Sequence, residues 1–569
     1  MVVLMDPQVG CLLVRHCVLT RITYAQRTLL PAAHDGAAEA FDGMTQADFE
    51  GLARTGPLDE HAAALLRLPT RLGGVGWRRA AGAARVAFLA SHLQAIDSFC
   101  EVSAEWRADM LAVAGRLHTG DDGMPVARPP QHPAEVALLD AHRGVLATLT
   151  APRRHAASYS SDLADNLAST QHLQRRLSRQ GALAQRDAVT ARLCGRRRRA
   201  EAARAPLPRG SAEHAAAGRP VRAARRLQVA WDAAQSDGAT TYLLVLPDST
   251  EYGGFVTMTH EVFRITVALH LGTAYRPVVA GGERPLRCPC AGGCADLDPE
   301  LDVLSACGRG GHAFSHTARH DMWVAVWDAF LRAHGYSVTR ERQIQAVFGR
   351  LSPGTKCPDL LVGLPGGQPL ALDGVVRHFC PPGSEQFGTH GALMVAAERA
   401  KLREYHPGRG RWPPAHLAVA PRVVPLAAST FGSVGERAMG FFRDVVRESA
   451  AGAAFASDAV RYQNLHSGQH AEVWRRRICV WLRICVGTHL LARVRAACDP
   501  ALADQLRHAE RCGFERWRRT QAVVAGVAGC TAALPVELAG AAVGGGYAGD
   551  VPRDGILGDG LARLRGACA

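Results

Sequence analysis

The sequence contains almost no lysine. Of its 66 basic residues only Lys356 and Lys401 are lysines, and the other 64 are arginines. The abundance of alanine, glycine and arginine indicates a GC-rich coding sequence, in which arginine replaces lysine wherever a plain positive charge suffices. A compact ammonium can nevertheless orient a water or a phosphate oxygen in ways that a planar guanidinium cannot. The two lysines are therefore either survivors by chance or markers of a chemical role.

The chain also has little of what marks secreted and membrane proteins. Its 16 cysteines in 569 residues are not the dense framework of a small secreted domain, and no charged, apolar and small-residue signal peptide opens it. The most apolar tail segment, "AVVAGVAGCTAALPVELAGAAVGGG", is interrupted by Pro535 and Glu537 and fails as a membrane span. We expect a nuclear or otherwise intracellular protein that is neither secreted nor membrane-bound.

What is present in excess is positive charge. The formal net charge is +14 and the isoelectric point is near 9.3, which favours a polyanionic partner. Arginine binds phosphates through paired hydrogen bonds, so the partner that we expect first is nucleic acid and the second is a membrane surface. With 47% hydrophobic residues the chain can bury several cores, and domains of about 100 to 200 residues predict three or four units.

Helical periodicity dominates both ends of the chain. Within residues 1–115, "CLLVRHCVLTRITYAQRTLL" and "GWRRAAGAARVAFLASHLQAI" place apolar residues at helical spacing around a Gly-rich turn. Residues 116–230 are predicted to form a basic, Arg/Ala-rich helical linker, and residues 231–285 a helical connector. Residues 451–569 are predicted to be a helical, partly flexible tail, in which "EVWRRRICVWLRICVGTHLLARV" has an apolar face and an arginine face.

The linker contains a run of four arginines, which are Arg196, Arg197, Arg198 and Arg199. A like-charge run of this kind either forms a solvated face or contacts phosphates directly and supplies sequence-independent affinity. Both alternatives stay open, and these arginines are candidate nucleic-acid contacts.

An α/β pattern occupies residues 319–450. From "TYLLVLPDS" onward, apolar runs of strand length alternate with helical patterns such as "DMWVAVWDAFLRAHG". "CPDLLVG" and "PLALDGVV" read as two strands of a hairpin joined by a Gly-Gly turn. Asp359 opens the first strand and Asp373 lies near the end of the second, so both carboxylates are expected at one edge. Paired acidic oxygens suit Mg²⁺, although each aspartate alone is also typical of a turn.

Two neighbouring segments add polar groups to this pair. Glu341 follows the strand-like "YSVT" and is a candidate third acidic group. In the helical "GALMVAAERAKLREYHP", Lys401 and Tyr405 stand at i and i+4 on one face. Such a face is ordinarily a solvated stripe, but a lysine kept where arginine is otherwise used favours a role in chemistry.

A cysteine- and histidine-rich segment, residues 286–318, precedes this domain. It reads "CPCAGGCADLDPELDVLSACGRGGHAFSH" and holds Cys288, Cys290, Cys294 and Cys307, followed by His312 and His316. Two thiolates and two imidazoles form a tetrahedral Zn²⁺ site, and His at i and i+4 is a recurrent ligand spacing. The predicted ligands are Cys288, Cys290, His312 and His316. The alternative is a loop with free thiols and unliganded histidines.

The order of these motifs resembles the restriction-like endonuclease of site-specific non-LTR retrotransposons, a member of the PD-(D/E)xK nuclease superfamily. The matching elements are "RHD" (319–321), Glu341, "KCPD", Asp373, "ERAKLREY" and "VVPLAASTFG". The cysteine-rich segment resembles the zinc knuckle that precedes this endonuclease. The segment "LRLPTRLGGVGWRRAAGAARVAFLAS" resembles the region after the polymerase in many retroelement reverse transcriptases, so residues 1–115 are interpreted as a thumb-like remnant.

The resemblance implies a role for each matching residue. Asp359 and Asp373 would bind the catalytic Mg²⁺ or Mn²⁺, Lys401 would assist the attacking water, and Tyr405 and Glu341 would lie nearby. The predicted nucleic-acid contacts in this domain are Arg319, His320 and Lys356. Two departures are that Val375 replaces the lysine of the simplest pattern and that Gly374 stands where a valine is more frequent. These endonucleases are known for placing the lysine on the following helix, where Lys401 stands.

The expected fold is therefore mixed: an all-α N-terminal thumb-like region, an α/β nuclease-like domain and an α-helical C-terminal tail. A polymerase core is missing, because the Asp121 and Asp122 pair lies in the Gly/Pro-rich "TGDDGMP", which predicts a turn. The resemblance implies a metal-dependent endonuclease that nicks target DNA for reverse transcription and that also binds retroelement RNA. The alternative is a catalytically inactive, nucleic-acid-binding remnant of a retroelement.

Overall fold

The computed structural model describes most of the chain up to residue 502. The described residues are 6–100, 133–149, 173–236, 238–245, 258–275, 286–290, 295–298, 300–307, 316–341, 357–363, 369–381, 388–405, 422–453, 468–499 and 501–502.

These residues are mostly helical. The helices are α1 Pro7–Leu13, α2 Leu19–Thr28, α3 Pro31–Ala53, α4 Glu60–Arg67, α5 Ala80–Cys100, α6 Pro133–Leu149, α7 Leu173–Arg204, α8 Ala212–Ala234, α9 His260–Leu271, α10 Asp302–Ala306, α11 His316–Ala333, α12 His390–Glu404, α13 Glu436–Ala453 and α14 Gly468–Cys498. A π-helical turn, Val14–Val18, joins α1 to α2, and single 3-10 turns lie at Thr70–Leu72 and Thr241–Leu243.

A four-stranded mixed sheet lies within the part of the chain expected to be α/β. Its strands are β1 Ser337–Arg340, β2 Leu360–Gly363, β3 Leu370–Arg377 and β4 Arg422–Ser429. They stand in the order β1-β2-β3-β4. The first three pair antiparallel, which confirms the predicted hairpin of β2 and β3, and β4 runs parallel to β3 after the crossover that contains α12.

Helices cover the two faces of this sheet, which is why β3 and β4 read as continuous buried runs rather than alternating ones. Successive side chains on a strand point to opposite faces. Leu372 and Val376 belong to the cluster that contains the α11 residue Trp323, whereas Val375 packs with Met394 of α12. Asp373 therefore shares its face of β3 with Val375 and looks toward α12.

The N-terminal helices form where the periodicity predicted them. Asp42, buried on α3, accepts hydrogen bonds from the first amides of α5, those of Ala80 and Ala81, at 2.5 and 3.1 Å. Phe49 and Trp77 meet edge to face between the two helices. The turn before α5 needs glycine at position 74, because a Cβ there would lie 2.0 Å from the Leu68 carbonyl oxygen.

The described parts of the predicted basic linker, 133–149 and 173–230, are mostly helical, and they also belong to the packed structure. Val189 and Leu193 of α7 are buried, and the Trp231 indole of α8 donates to Thr190 Oγ at 3.0 Å. The helix α7 packs on both α5 and α8. Apolar burial therefore holds this segment in place, and its arginines lie on the remaining surface.

The helix α14 lies inside the molecule, where the sequence had predicted an amphipathic tail helix. It packs against α9 and α11, and its Cys479 and Cys485 are core residues. Its arginine face is partly buried: Arg483 donates to the Ala239 carbonyl at 3.0 Å and Arg493 to the Cys307 carbonyl at 2.8 Å. Arginine can be buried in this way because backbone oxygens accept its N–H groups.

One secondary-structure prediction is wrong. The apolar run "TYLLV" does not start a strand, because Thr241–Leu243 forms a 3-10 turn with Tyr242 packed against Phe263. In so short an apolar run, periodicity alone does not distinguish a strand from a buried turn. Among the helices that the structure describes, none combines the length and the apolar character that crossing a membrane requires.

Candidate functional site

The predicted carboxylate pair meets at the β2–β3 hairpin. Asp359 immediately precedes β2, and Leu360 pairs with Leu372, so Asp359 lies beside Asp373 on the neighbouring strand. The Asp373 side chain is 1% exposed and that of Asp359 is 11% exposed. The hairpin register alone therefore brings two largely buried carboxylates together.

Lys401 reaches this pair from α12. Its Nζ lies 3.0 Å from Asp373 Oδ1 and 2.9 Å from Oδ2, and 3.6 Å from Glu404 Oε2. The position two residues after Asp373 carries Val375, which is packed against the apolar face of α12. The helix thus supplies the ammonium that this strand position lacks.

His320 of α11 reaches the site from the other face of the sheet. Its Nε2 lies 3.0 Å from Asp359 Oδ2 and its Nδ1 lies 3.1 Å from Asp321 Oδ1. Burial lowers the pKa of His320, but the hydrogen bonds and charges of Asp321 and Asp359 outweigh it and raise that pKa to about 10. Burial likewise raises the pKa of Asp359, and its hydrogen bond to His320 and the histidine charge reverse this to a net lowering.

Gly374 packs closely against α11. Its N–H donates to Asp359 Oδ2 at 2.6 Å. A Cβ at this position would lie 2.9 Å from Val324 Cγ2 and in ordinary contact, at 3.4 Å, with Asp359 Oδ2 and His320 Nε2. A side chain here would therefore push against Val324, which lies one turn after His320 on the same helix.

Tyr405 lies at the C-terminal end of α12, near the carboxylate pair. Its hydroxyl donates to the Cys357 carbonyl at 3.3 Å, and the residue is buried. Burial, with the nearby charge of Asp373, raises the Tyr405 pKa, and burial raises the pKa of the Cys357 thiol to about 12. Both groups stay protonated near neutral pH, so Tyr405 serves as a donor rather than as a base.

The structure describes two of the three remaining predicted residues of this domain. Glu341 is exposed and contributes its backbone N–H to the Asp359 carbonyl at 2.9 Å, so its carboxylate is not one of the clustered metal donors. Arg319 is 1% exposed and donates to the Val376 carbonyl at 2.9 Å, which corrects the expectation that it contacts nucleic acid. Its burial, together with Arg493, lowers its pKa to about 9. Lys356 lies outside the described residues.

Two groups of side chains in the described part of the chain have the geometry to hold a metal ion. The donor atoms of His320, Asp359 and Asp373 all lie within 4.8 Å of one another. The same holds for the three sulfurs of Cys288, Cys290 and Cys307. Carboxylate oxygen and imidazole nitrogen in the first group, and sulfur in the second, give the two groups different metal preferences.

The cysteine group combines residues beside a β-bridge with a helix end. Cys288 and Cys290 follow Arg287, which forms an isolated antiparallel β-bridge with Asp296, and the Cys288 N–H donates to the Ala295 carbonyl at 2.9 Å. Cys307 follows the short helix α10. Burial raises the pKa of the Cys288 thiol and the neighbouring Cys307 adds to it, against the lowering effects of the Cys290 amide and Arg493.

The structure brings Cys307, rather than the predicted His316, within 4.8 Å of the other two sulfurs. The His316 ring lies at the start of α11 and faces His489 of α14, with ring centroids 6.5 Å apart. Burial, aided by Arg319 and Arg493, lowers the pKa of His316 to about 4. The other predicted ligand, His312, and the nearby Cys294 lie outside the described residues.

The arginine run lies on the last turns of α7. Arg196, Arg198 and Arg199 are exposed, whereas Arg197 is half-buried and donates to Gln228 at 2.8 Å. Glu201 is drawn toward Arg225, with an N–O distance of 2.7 Å. This end of α7 consequently presents three exposed guanidinium groups.

No protein-family model matches this chain, and no curated protein matches it either. The two donors that sequence reasoning missed are His320 as part of the metal-capable group and Cys307 as part of the sulfur group. Both carried a usable signal, because His320 stood in the quoted "RHD" and Cys307 was one of the four cysteines of the segment.

Proposed function

We propose that the part of the chain from 319 to 450 is a metal-dependent DNA endonuclease of the restriction-like type found in non-LTR retrotransposons. The observation that carries the proposal is the meeting of Asp359, Asp373 and Lys401 at one hairpin, with the lysine 2.9 to 3.0 Å from Asp373. A carboxylate pair beside a buried ammonium is the donor set that metal-assisted hydrolysis of a phosphodiester uses.

Asp359 and Asp373 would hold a divalent cation, Mg²⁺ or Mn²⁺. Such a cation, when bound, supplies Lewis-acid stabilisation of the scissile phosphate and lowers the pKa of its own water. Lys401 then has a distinct part: its three N–H groups orient the attacking water or a phosphate oxygen, while Asp373 holds the ammonium in place. Tyr405 and Cys357 stay protonated near neutral pH and add no charge to the site.

The proposed structural cofactor is Zn²⁺ on the sulfurs of Cys288, Cys290 and Cys307. Zinc takes thiolate ligands in tetrahedral sites, and His312 would complete the set of four donors. The proximity of Arg493 to Cys288, 3.4 Å from Nη2 to Sγ, favours the charged thiolate that zinc requires. The polyanionic partner is DNA, with retroelement RNA as a second ligand of the same class, and the exposed arginines of α7 would contact phosphates.

The test is a nicking assay with purified protein and supercoiled plasmid. We expect conversion to the open-circular form with Mg²⁺ or Mn²⁺, none with EDTA, and loss of conversion in Asp359→Asn. The matched control is Asp444→Asn, which changes a partly exposed aspartate of α13 and should leave nicking intact.

The same protein preparation distinguishes an active endonuclease from an inactive remnant that only binds nucleic acid. Retention of plasmid in a gel-shift assay without any metal-dependent nicking would favour the catalytically inactive, nucleic-acid-binding remnant. Nicking that persists in Asp359→Asn would overturn the site assignment.

A further inference from the structure

The sequence placed His320 among nucleic-acid contacts, but its ring lies at the carboxylate pair. Nε2 is 3.0 Å from Asp359 Oδ2, and the ring nitrogen and both carboxylates have donor atoms within 4.8 Å of one another. The His320 side chain is 26% exposed, so it stands between the buried carboxylates and the surface. An imidazole in that position has access to any cation that the two aspartates hold.

The other ring nitrogen has the partner that a metal-bound histidine needs. Nδ1 lies 3.1 Å from Asp321 Oδ1. Histidines that ligate metals almost always donate the N–H of the second nitrogen to a carboxylate or a carbonyl, which fixes the tautomer and leaves a lone pair on the first nitrogen. With Asp321 as acceptor for Nδ1–H, Nε2 is the nitrogen that faces the carboxylates, and an ion bound there would take the place of the hydrogen that Nε2 shares with Asp359.

Gly374 provides the third observation. Its backbone N–H donates to Asp359 Oδ2 at 2.6 Å, and a Cβ here would lie 2.9 Å from Val324 Cγ2 and 3.4 Å from Nε2. Gly374 thus helps to fix the carboxylate that faces His320, and a side chain in its place would crowd the helix that carries the imidazole.

We propose, on the basis of the proposed nuclease function, that His320 is a third metal ligand through Nε2, oriented by Asp321, and that it makes the site select Mn²⁺ over Mg²⁺. Mg²⁺ takes oxygen ligands and keeps several of its waters, so an imidazole adds little to its binding. A nitrogen donor suits transition-metal ions, and Mn²⁺ accepts both carboxylate and imidazole. The cysteine group does not compete for this ion, because its soft sulfurs suit zinc instead.

The test measures metal binding directly, by Mn²⁺ electron paramagnetic resonance and by titration calorimetry with MnCl₂ and MgCl₂, on the full chain. We expect the parent to bind Mn²⁺ at least about tenfold more tightly than Mg²⁺. His320→Gln keeps a side-chain donor toward Asp359 but supplies no imidazole, and we expect it to lose at least about tenfold in Mn²⁺ affinity while its Mg²⁺ affinity stays within about twofold.

Two further variants keep the proposal testable if His320→Gln fails to fold. Asp321→Asn removes the carboxylate that orients the ring and should weaken Mn²⁺ binding by about tenfold. Gly374→Ala fills the space beside Nε2 and should act in the same direction. The matched control is Asp444→Asn, at a half-exposed aspartate of α13, and it should leave Mn²⁺ affinity unchanged.

Each outcome bears on one proposal at a time. A parent that binds Mn²⁺ through His320 but does not nick DNA supports the ligand assignment and overturns the nuclease. A parent that nicks equally well with both ions, and whose His320→Gln and Asp321→Asn variants bind Mn²⁺ as tightly as it does, overturns the ligand assignment. A loss of Mn²⁺ and Mg²⁺ affinity by equal factors in His320→Gln also overturns it, because that result marks a structural role.

Discussion

The part of the chain that the structure describes has two metal-capable groups that are held together in different ways. The acidic site stands on two paired strands and two helices, and positive side chains already lie beside its carboxylates: His320 contacts Asp359 and Lys401 contacts Asp373. The cysteine group is held by an isolated β-bridge between Arg287 and Asp296 and by the end of the five-residue helix α10. Its sulfurs are within 4.8 Å of one another.

The difference concerns what each group needs in order to form. The fold already holds the side chains of the acidic site in place, so this site does not need its cation in order to form. A thiol group on short loops gains its rigidity from the metal, because binding free energy in such modules is also folding free energy. Stability should therefore follow the metal at the cysteine group, and activity should follow the metal at the acidic site.

The largest expected effect is on the cysteine group. Cys307→Ser, or removal of zinc by a strong chelator, should reduce the free energy of unfolding by about 5 kcal/mol or more, since a structural metal is lost. Metal analysis should give about one zinc per chain for the parent and none for the variant, with unfolding followed by circular dichroism. Cys17→Ser, at an exposed thiol, is the matched control. Equal stability with and without chelator would remove the contrast between the two groups.

The next effect is on the ion pair of the acidic site. Asp373→Asn leaves the Lys401 ammonium buried beside a neutral group, and breaking a buried pair from one side costs about 3 to 5 kcal/mol. The double variant Asp373→Asn with Lys401→Met should recover part of that loss, because the buried charge is removed. Urea unfolding of the parent and the variants measures both quantities. A single variant as stable as the parent would mean that the pair is not desolvated.

A smaller effect separates catalysis from charge at the same lysine. Lys401→Arg keeps the charge but replaces the compact donor, and we expect about 100-fold slower nicking, or roughly 2.7 kcal/mol in the barrier, with DNA affinity nearly unchanged. Lys356→Arg should cost much less. Arg403→Lys, on an exposed position of the same helix, is the control that should nick like the parent. If Lys401→Arg nicks normally, the two lysines are a compositional accident.

The smallest effect is expected far from both metal-capable groups. Arg198→Gln with Arg199→Gln removes two exposed charges from α7, so DNA affinity should fall by a similar factor for every sequence. The slope of log affinity against log salt should decrease by about 0.9 for each lost phosphate contact. Fluorescence anisotropy at several salt concentrations measures this slope. An unchanged slope would assign the run to a solvated face.

Local pattern was enough to predict much of the nuclease-like region. Apolar runs of strand length and the Gly-Gly turn predicted the β2–β3 hairpin, which is why Asp359 and Asp373 were expected together. Helical spacing placed Lys401 on a helix, and the resemblance directed it to that pair. Other positions depend on contacts between distant segments: Arg319 is buried under β3, and Cys307 rather than His316 lies with the other two sulfurs. No local pattern encodes those contacts.

The amino-acid sequence by itself predicted most of the described helices, the β2–β3 hairpin and the meeting of Asp359 with Asp373. The resemblance added the expectation that Lys401 acts beside them. Only the tertiary structure decided that α14 fills the core, that its arginines bond to backbone carbonyls, and that His320 enters the acidic site opposite Lys401. The physical reason is range. Periodicity and turn chemistry act over a few residues, whereas burial and donor convergence depend on which distant surfaces pack together.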